Sequence, residues 1–227
     1  MLFFSILTHR SIIYVGDNMN AIIFDLDGTL WDTSDTVVDI WNKVLSVRCP
    51  KLKMTKEIMS SLMGKNKAQF VDDFFVDVEK DEAEMLINEI FKCEQEHLRS
   101  HGAELYDNVL ETLEKLKNDY ALMIVSNCQQ GYLNSFLEYY KLKDLLSDYE
   151  CAGSTGFSKG ENIKLVMKRN DIGKAIYVGD TKSDECAARE AGVPFVYASY
   201  GFGKSDKYDA TLNSFKEIKY VAKELLI

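Results

Sequence analysis

Four apolar runs constrain what this chain can become. They are Ala21-Ile22-Ile23-Phe24, Ala121-Leu122-Met123-Ile124-Val125, Ala175-Ile176-Tyr177-Val178 and Phe195-Val196-Tyr197-Ala198. None alternates between apolar and charged residues, as a half-exposed strand would. Runs of this kind read as strands buried on both faces, which is the signature of a parallel sheet covered by helices. Helical periodicity fills the intervals: Val109 to Asn118, Tyr132 to Tyr140, Glu161 to Arg169, Thr181 to Ala191, and a closing stretch from Phe215 to Leu226. A further short strand is expected near Tyr149 to Ala152. Such alternation predicts an α/β fold, a Rossmann-like doubly wound parallel sheet.

One segment breaks the alternation. From Asp32 to Glu104 the patterning is helical throughout, with stretches at Val37 to Leu45, Thr55 to Leu62, Ala68 to Phe75 and Glu82 to Leu98. Asp32, Thr33 or Ser34 is positioned to cap the first of these. The expected organisation is therefore an α/β core of residues 19–31 and 105–227, an all-helical cap domain of residues 32–104 inserted after the first strand, and an N-terminal extension of residues 1–18. The aromatic residues Phe70, Phe74 and Phe75 read as the small core of the cap.

The strand ends carry the chemistry. Asp25-Leu26-Asp27-Gly28-Thr29 follows the first run, Ser126-Asn127 the second, and Gly179-Asp180-Thr181-Lys182-Ser183-Asp184 the third. In a parallel sheet these ends lie on one edge, where ligands bind. Two aspartates one residue apart repel unless a cation neutralises them. Lys159 starts a helix behind a Ser158-x-x-Glu161 capping box, where its charge opposes the helix dipole. Thr181-x-x-Asp184 forms a second box. These features describe a metal-dependent site for phosphoryl transfer.

Composition narrows the partners. Net charge is −9 over 227 residues, a balance that argues against nucleic acid, whose backbone needs clustered Lys and Arg. No apolar run is long enough to cross a bilayer. Five cysteines without a C-x-x-C pair suit a reduced, cytoplasmic protein. The sequence does not specify an oligomeric state.

In order and spacing, the four patches resemble the four motifs of the haloacid dehalogenase superfamily in its phosphatase branch, and the segments Ala187 to Gly192 and Gly201 to Gly203 resemble the phosphoglycolate-phosphatase-like subgroup. The resemblance implies a magnesium-dependent phosphatase that hydrolyses a small phosphomonoester metabolite through an aspartyl-phosphate. In that scheme Asp25 is the nucleophile and Asp27 the general acid and base. Asp25, Asp27 through its carbonyl, and Asp180 hold Mg2+. Gly28, Thr29, Ser126 and Asn127 belong to the phosphate site, Lys159 neutralises the transferring group, and Asp184 supports Lys159 or the metal. The alternatives are a phosphosugar mutase of the same superfamily and a non-catalytic binding protein on this fold.

Three further features stay open or bland. Gly64-Lys65-Asn66-Lys67 falls between two cap helices. It reads either as a helix end with solvated lysines or as a substrate-contacting loop in which Lys65 or Lys67 meets a second negative group. Cys128 reads as a passive small hydrophobe near the site. His97 and His101 lack a third ligand and read as surface residues near the hinge.

Overall fold

A computed structural model describes residues 19–226. The N-terminal extension of residues 1–18 lies outside the described residues. The chain begins with β1 (Ala21–Phe24), whose four residues are all buried, and continues into β2 (Trp31–Asp32). Four helices follow: α1 (Ser34–Arg48), α2 (Lys56–Leu62), α3 (Lys67–Phe74) and α4 (Lys80–His101). After β3 (Glu104–Leu105) the chain alternates through α5 (Val109–Leu116), β4 (Ala121–Ser126), α6 (Tyr132–Tyr139), β5 (Asp148–Cys151), α7 (Ala152–Thr155), α8 (Lys159–Arg169), β6 (Ala175–Gly179), α9 (Lys182–Ala191), β7 (Phe195–Ala198) and β8 (Ala210–Leu212). A short 3-10 turn leads into α10 (Ile218–Leu225).

Six strands form one sheet in the order β5-β4-β1-β6-β7-β8, and every pairing is parallel. β1 is central, with Phe24 level with Ile124 of β4 and Val178 of β6. The three carboxyl ends therefore finish side by side, and the residues after them share one edge. The two faces of β1 explain its unbroken apolar run. Ile22 and Phe24 pack with Leu113 of α5, Phe136 of α6 and Ile218 of α10. Ala21 and Ile23 pack with Ile163 and Val166 of α8 and Ala188 of α9. Helices cover both faces, so no strand of the centre needs a polar side.

The cap has a core of its own, built on Trp41, Leu45, Leu86, Ile87 and Ile90, all buried. Trp41 meets Phe74 edge-on at 5.2 Å and lies near Phe70 and Phe75. These are the aromatic residues that helical spacing assigns to cap packing.

Where helix and strand limits differ from the sequence reading, the cause is local. β2 and β3 pair antiparallel, Trp31 with Leu105 and Asp32 with Glu104, as a two-strand ribbon through which the chain enters and leaves the cap. Two-residue strands are too short to show periodicity. The helix α1 has Thr33 as its N-cap residue, but the Thr33 side chain makes no cap bond. Its hydroxyl is used elsewhere, as described below. His97 and His101 stack at 4.5 Å on the exposed end of α4.

Candidate active site

Asp25 sits one residue beyond β1 and is 3% exposed. The amide of Asp25 donates to the Val178 carbonyl at 2.8 Å, so the β1–β6 ladder runs right up to the carboxylate and fixes it. Lys159 reaches it from the first turn of α8: the ammonium lies 2.9 Å from Asp25 Oδ1 and 2.6 Å from Asp184 Oδ1. Both predicted capping boxes form. Ser158 with Glu161 starts α8, and Thr181 with Asp184 starts α9. Asp184 thus serves two partners at once, since its Oδ2 accepts from the Thr181 amide and hydroxyl while its Oδ1 holds Lys159. Asp184 contacts Lys159 and also belongs to the carboxylate group that could hold a metal, so both roles open to it in the sequence remain in view.

Asp180 is fully buried. Its Oδ2 accepts from the Phe202 and Gly203 amides at 2.8 and 3.0 Å, and its Oδ1 has no hydrogen-bond partner. Gly28 lies against it with φ +79°, and a Cβ there would sit 2.4 Å from Asp180 Oδ2. Both the backbone angle and the close approach require glycine. Gly28 and Thr29, which the resemblance assigns to the phosphate site, also build the turn after β1. The Gly28 amide donates to Trp31 O and the Thr29 amide to Leu26 O, so both are spent in the turn that aims Asp27. Neither residue is on the cavity wall, and Thr29 is buried with its hydroxyl unpartnered.

The charges do not balance without help. Oxygen atoms of Asp25, Asp180 and Asp184 lie within 4.8 Å of one another, and one lysine faces them. Burial, then Asp184, pushes the Asp25 carboxyl up to about 7 against the pull of Lys159. Burial, then Asp184 and Asp25, holds Asp180 well above the ordinary carboxylate range. Burial opposes the charge of Lys159, but Asp184 and Asp25 outweigh it and keep the ammonium charged. A hard divalent cation fits this donor set, because an all-oxygen cluster with a free, buried carboxylate oxygen is what such an ion needs.

Asp27 is held differently. Its Oδ1 accepts from Trp31 Nε1 at 2.9 Å, Thr33 Oγ1 at 2.9 Å and Tyr132 Oη at 2.8 Å. Burial raises its pKa and these three donors oppose the rise. Three contacts on one oxygen lock the side chain. Thr33 and Trp31 lie within six residues of Asp27, but nothing in the local sequence of Tyr132 points to this role. Replacing Tyr132 by Phe is expected to lower kcat about 10-fold on unactivated phosphomonoesters and less on an aryl phosphate, whose leaving group needs little protonation. Equal losses on both would show that Tyr132 does not act through Asp27.

Asp25, Asp27, Ser126, Asn127, Lys159 and Lys65 all line one cavity of about 420 Å3 between core and cap. Ser126 Oγ accepts from the Cys128 amide at 3.3 Å, which leaves its proton for a ligand. Asn127 reaches across to the cap, donating to Gly64 O at 2.7 Å. Lys65 pairs with Asp73 at 2.7 Å and Lys67 with Glu84 at 2.6 Å, so neither cation stands free at the cavity. Cys128 is on the same wall, and contact with Cys151 together with burial pushes its thiol up, which makes it a poor nucleophile.

This arrangement defines a class: a buried carboxylate at the edge of a doubly wound sheet, a second carboxyl held by three donors beside it, a lysine, and a carboxylate cluster that could hold a cation. The family model described as haloacid dehalogenase-like hydrolase matches residues 22–198. The chain belongs to that family, and within it is a hydrolase of the phosphatase type, phosphoglycolate-phosphatase-like. It is 29% identical over 201 residues to a phosphoglycolate phosphatase of Xanthomonas campestris pv. campestris, covering 82% of this chain and 86% of that protein. It is 24% identical over 189 residues to an N-acetylmuramic acid 6-phosphate phosphatase of Pseudomonas putida, covering 81% and 84%. The fold matches the crystal structure of a predicted phosphoglycolate phosphatase from Haemophilus somnus with a TM-score of 0.80 at 21% identity, over 92% of this chain and 99% of that one.

Proposed function

We propose that this protein is a magnesium-dependent phosphatase that cleaves a small phosphomonoester through an aspartyl-phosphate on Asp25. The observation that carries the reading is the buried contact of Lys159 with both Asp25 and Asp184. A lysine held between two carboxylates at a sheet edge secures a nucleophile and leaves positive charge where a phosphoryl group would arrive.

In the first step an Asp25 oxygen bonds to phosphorus as the ester P–O bond breaks, and Asp27 gives its proton to the leaving oxygen. In the second, water attacks phosphorus, Asp27 takes the proton, and the Asp25–phosphorus bond breaks to release inorganic phosphate. Ser126 donates its hydroxyl to a phosphate oxygen, and Lys159 offsets the charge that builds up there. Asn127 sits beside Ser126 and binds phosphate once its amide is drawn from Gly64. Asp25, the Asp27 carbonyl and Asp180 would hold Mg2+, which would supply neutralisation of the negative charge in the site. The free oxygen of Asp180 supports this assignment. Lys65, freed from Asp73, meets a second negative group where a substrate has one. The cap closes over the substrate and excludes bulk water.

All five cysteines are free, which supports a cytoplasmic setting, and among the described residues no helix is long and apolar enough to cross a membrane.

The test is phosphate release across a panel of phosphomonoesters with Mg2+ and with EDTA, beside thermal unfolding. Mg2+ at about 100 times its dissociation constant is expected to stabilise the wild type by about 2.7 kcal/mol. Asp180→Asn should lose most of that gain together with turnover. Release that persists in EDTA, or a magnesium shift unchanged in Asp180→Asn, would refute the metal assignment.

A further inference from the structure

Glu94 of α4 is the one carboxyl group on the cavity wall, among the described residues, that the mechanism above does not use. It is 3% exposed. Its Oε1 accepts from Trp41 Nε1 at 2.6 Å and its Oε2 from Gln129 Nε2 at 3.1 Å. The described hydrogen bonds of Glu94 include no cation. Burial pushes the group up to about 8, with the indole and amide donors opposing, which favours the carboxylic acid form. Such an acid has one O–H to give, and the two contacts above use only acceptor lone pairs. A buried carboxyl with neutral partners is a costly choice if its task is only to satisfy Trp41, which a glutamine oxygen would do as well.

Its surroundings say what it could meet. Phe70, Phe91 and Met59 present apolar surface on the same wall. The cavity volume of about 420 Å3 falls in the range of sites that enclose sizeable organic ligands. The phosphate ester of a short hydroxy acid would leave most of that wall untouched. A ring alcohol would lay its C–H face on the aromatic rings and bring hydroxyls within reach of Glu94.

We propose that Glu94 hydrogen-bonds a hydroxyl of the leaving group, and that the site selects the phosphate ester of a ring-sized, hydroxyl-bearing alcohol over that of a short acid. This rests on the phosphatase reading above. Two sources share the chemistry, a phosphosugar and a nucleoside monophosphate.

The experiment measures kcat and KM with Mg2+ for hexose 6-phosphates, nucleoside 5′-monophosphates and phosphoglycolate, in wild type, Glu94→Ala and Glu94→Gln. Wild type is expected to favour one ring-bearing arm over phosphoglycolate by at least about 10-fold in kcat/KM. Glu94→Ala should raise KM for that arm by about 10-fold, with a much smaller change in kcat and a much smaller loss on phosphoglycolate, and Glu94→Gln should recover part of the KM. Equilibrium binding of the preferred ester to Asp25→Asn protein, with and without Glu94→Gln, gives the same comparison free of turnover. A wild-type preference for phosphoglycolate, or equal losses on every ester, overturns the assignment and leaves the phosphatase reading intact. If wild type releases phosphate from no ester, the phosphatase reading itself fails.

Discussion

Asp25→Asn is expected to lower kcat by at least about 10^4-fold on every substrate while the protein stays folded. The amide has the shape of the carboxylate but no oxygen able to displace an alcohol from phosphorus. Of its neighbours on the described cavity wall, Asp27 and Cys128 are poor substitutes. Asp27 has its Oδ1 occupied by three donors, and the Cys128 thiol is kept protonated. Folding should survive because the substitution removes a carboxylate that burial already disfavours, pushing it up to about 7, and Lys159 keeps Asp184 as a partner 2.6 Å away. The fold is read by thermal unfolding and the chemistry by acid-quenched wild-type enzyme, in which phosphate should be found on the peptide containing Asp25 and be absent from the variant. Residual activity within about 100-fold of wild type would assign the nucleophile elsewhere.

The frame of this site was legible in the sequence because a parallel sheet converts linear order into spatial convergence. Once Ala21 to Phe24, Ala121 to Val125 and Ala175 to Val178 read as buried strands, Asp25, Ser126 and Asp180 had to share one edge. The capping boxes were legible for a different reason: Ser158 with Glu161 and Thr181 with Asp184 act over three residues, within reach of local pattern. The grip on Asp27 was not. Tyr132 lies 105 positions away and belongs to an ordinary amphipathic helix, and only packing turns its hydroxyl toward the acid. Glu94 was hidden in the same way. In sequence it is one more acid in a charged helix, and its burial depends on Trp41 and Gln129 arriving from two other segments. Gly28 and Thr29 show a further case, where motif positions carry a turn through their backbone donors. Residues fixed by strand ends and caps could be read in advance; those fixed by the meeting of cap and core could not.

Lys159→Met should separate the electrostatic frame of the site from its nucleophile. The substitution keeps much of the side-chain volume and removes the cation that lies 2.9 Å from Asp25 and 2.6 Å from Asp184. Two effects follow. Turnover should fall by at least about 10^3-fold, because charge on the transferring group loses its positive partner in a site shielded from water. Stability in EDTA should fall by about 3–5 kcal/mol, the usual result of stripping one partner from a buried ionic cluster. The two effects differ in their response to pH. In the wild type burial and Asp184 push the Asp25 carboxyl up to about 7, above its unfolded value, so the stability it contributes is expected to be present at low pH and lost as pH rises through that range. Without Lys159 its folded pKa moves higher still, and the loss continues where the wild type has levelled off. The deficit of the variant is therefore expected to be larger at pH 8 than at pH 5, measured by urea unfolding in EDTA. Saturating Mg2+ should narrow that gap, since a cation on Asp25 and Asp180 takes over part of the neutralisation, yet it should leave kcat low because it cannot replace the ammonium beside Asp184. A deficit independent of pH would mean that Lys159 acts through packing alone. Recovery of kcat by Mg2+ would mean that the lysine serves the fold and not the phosphoryl group.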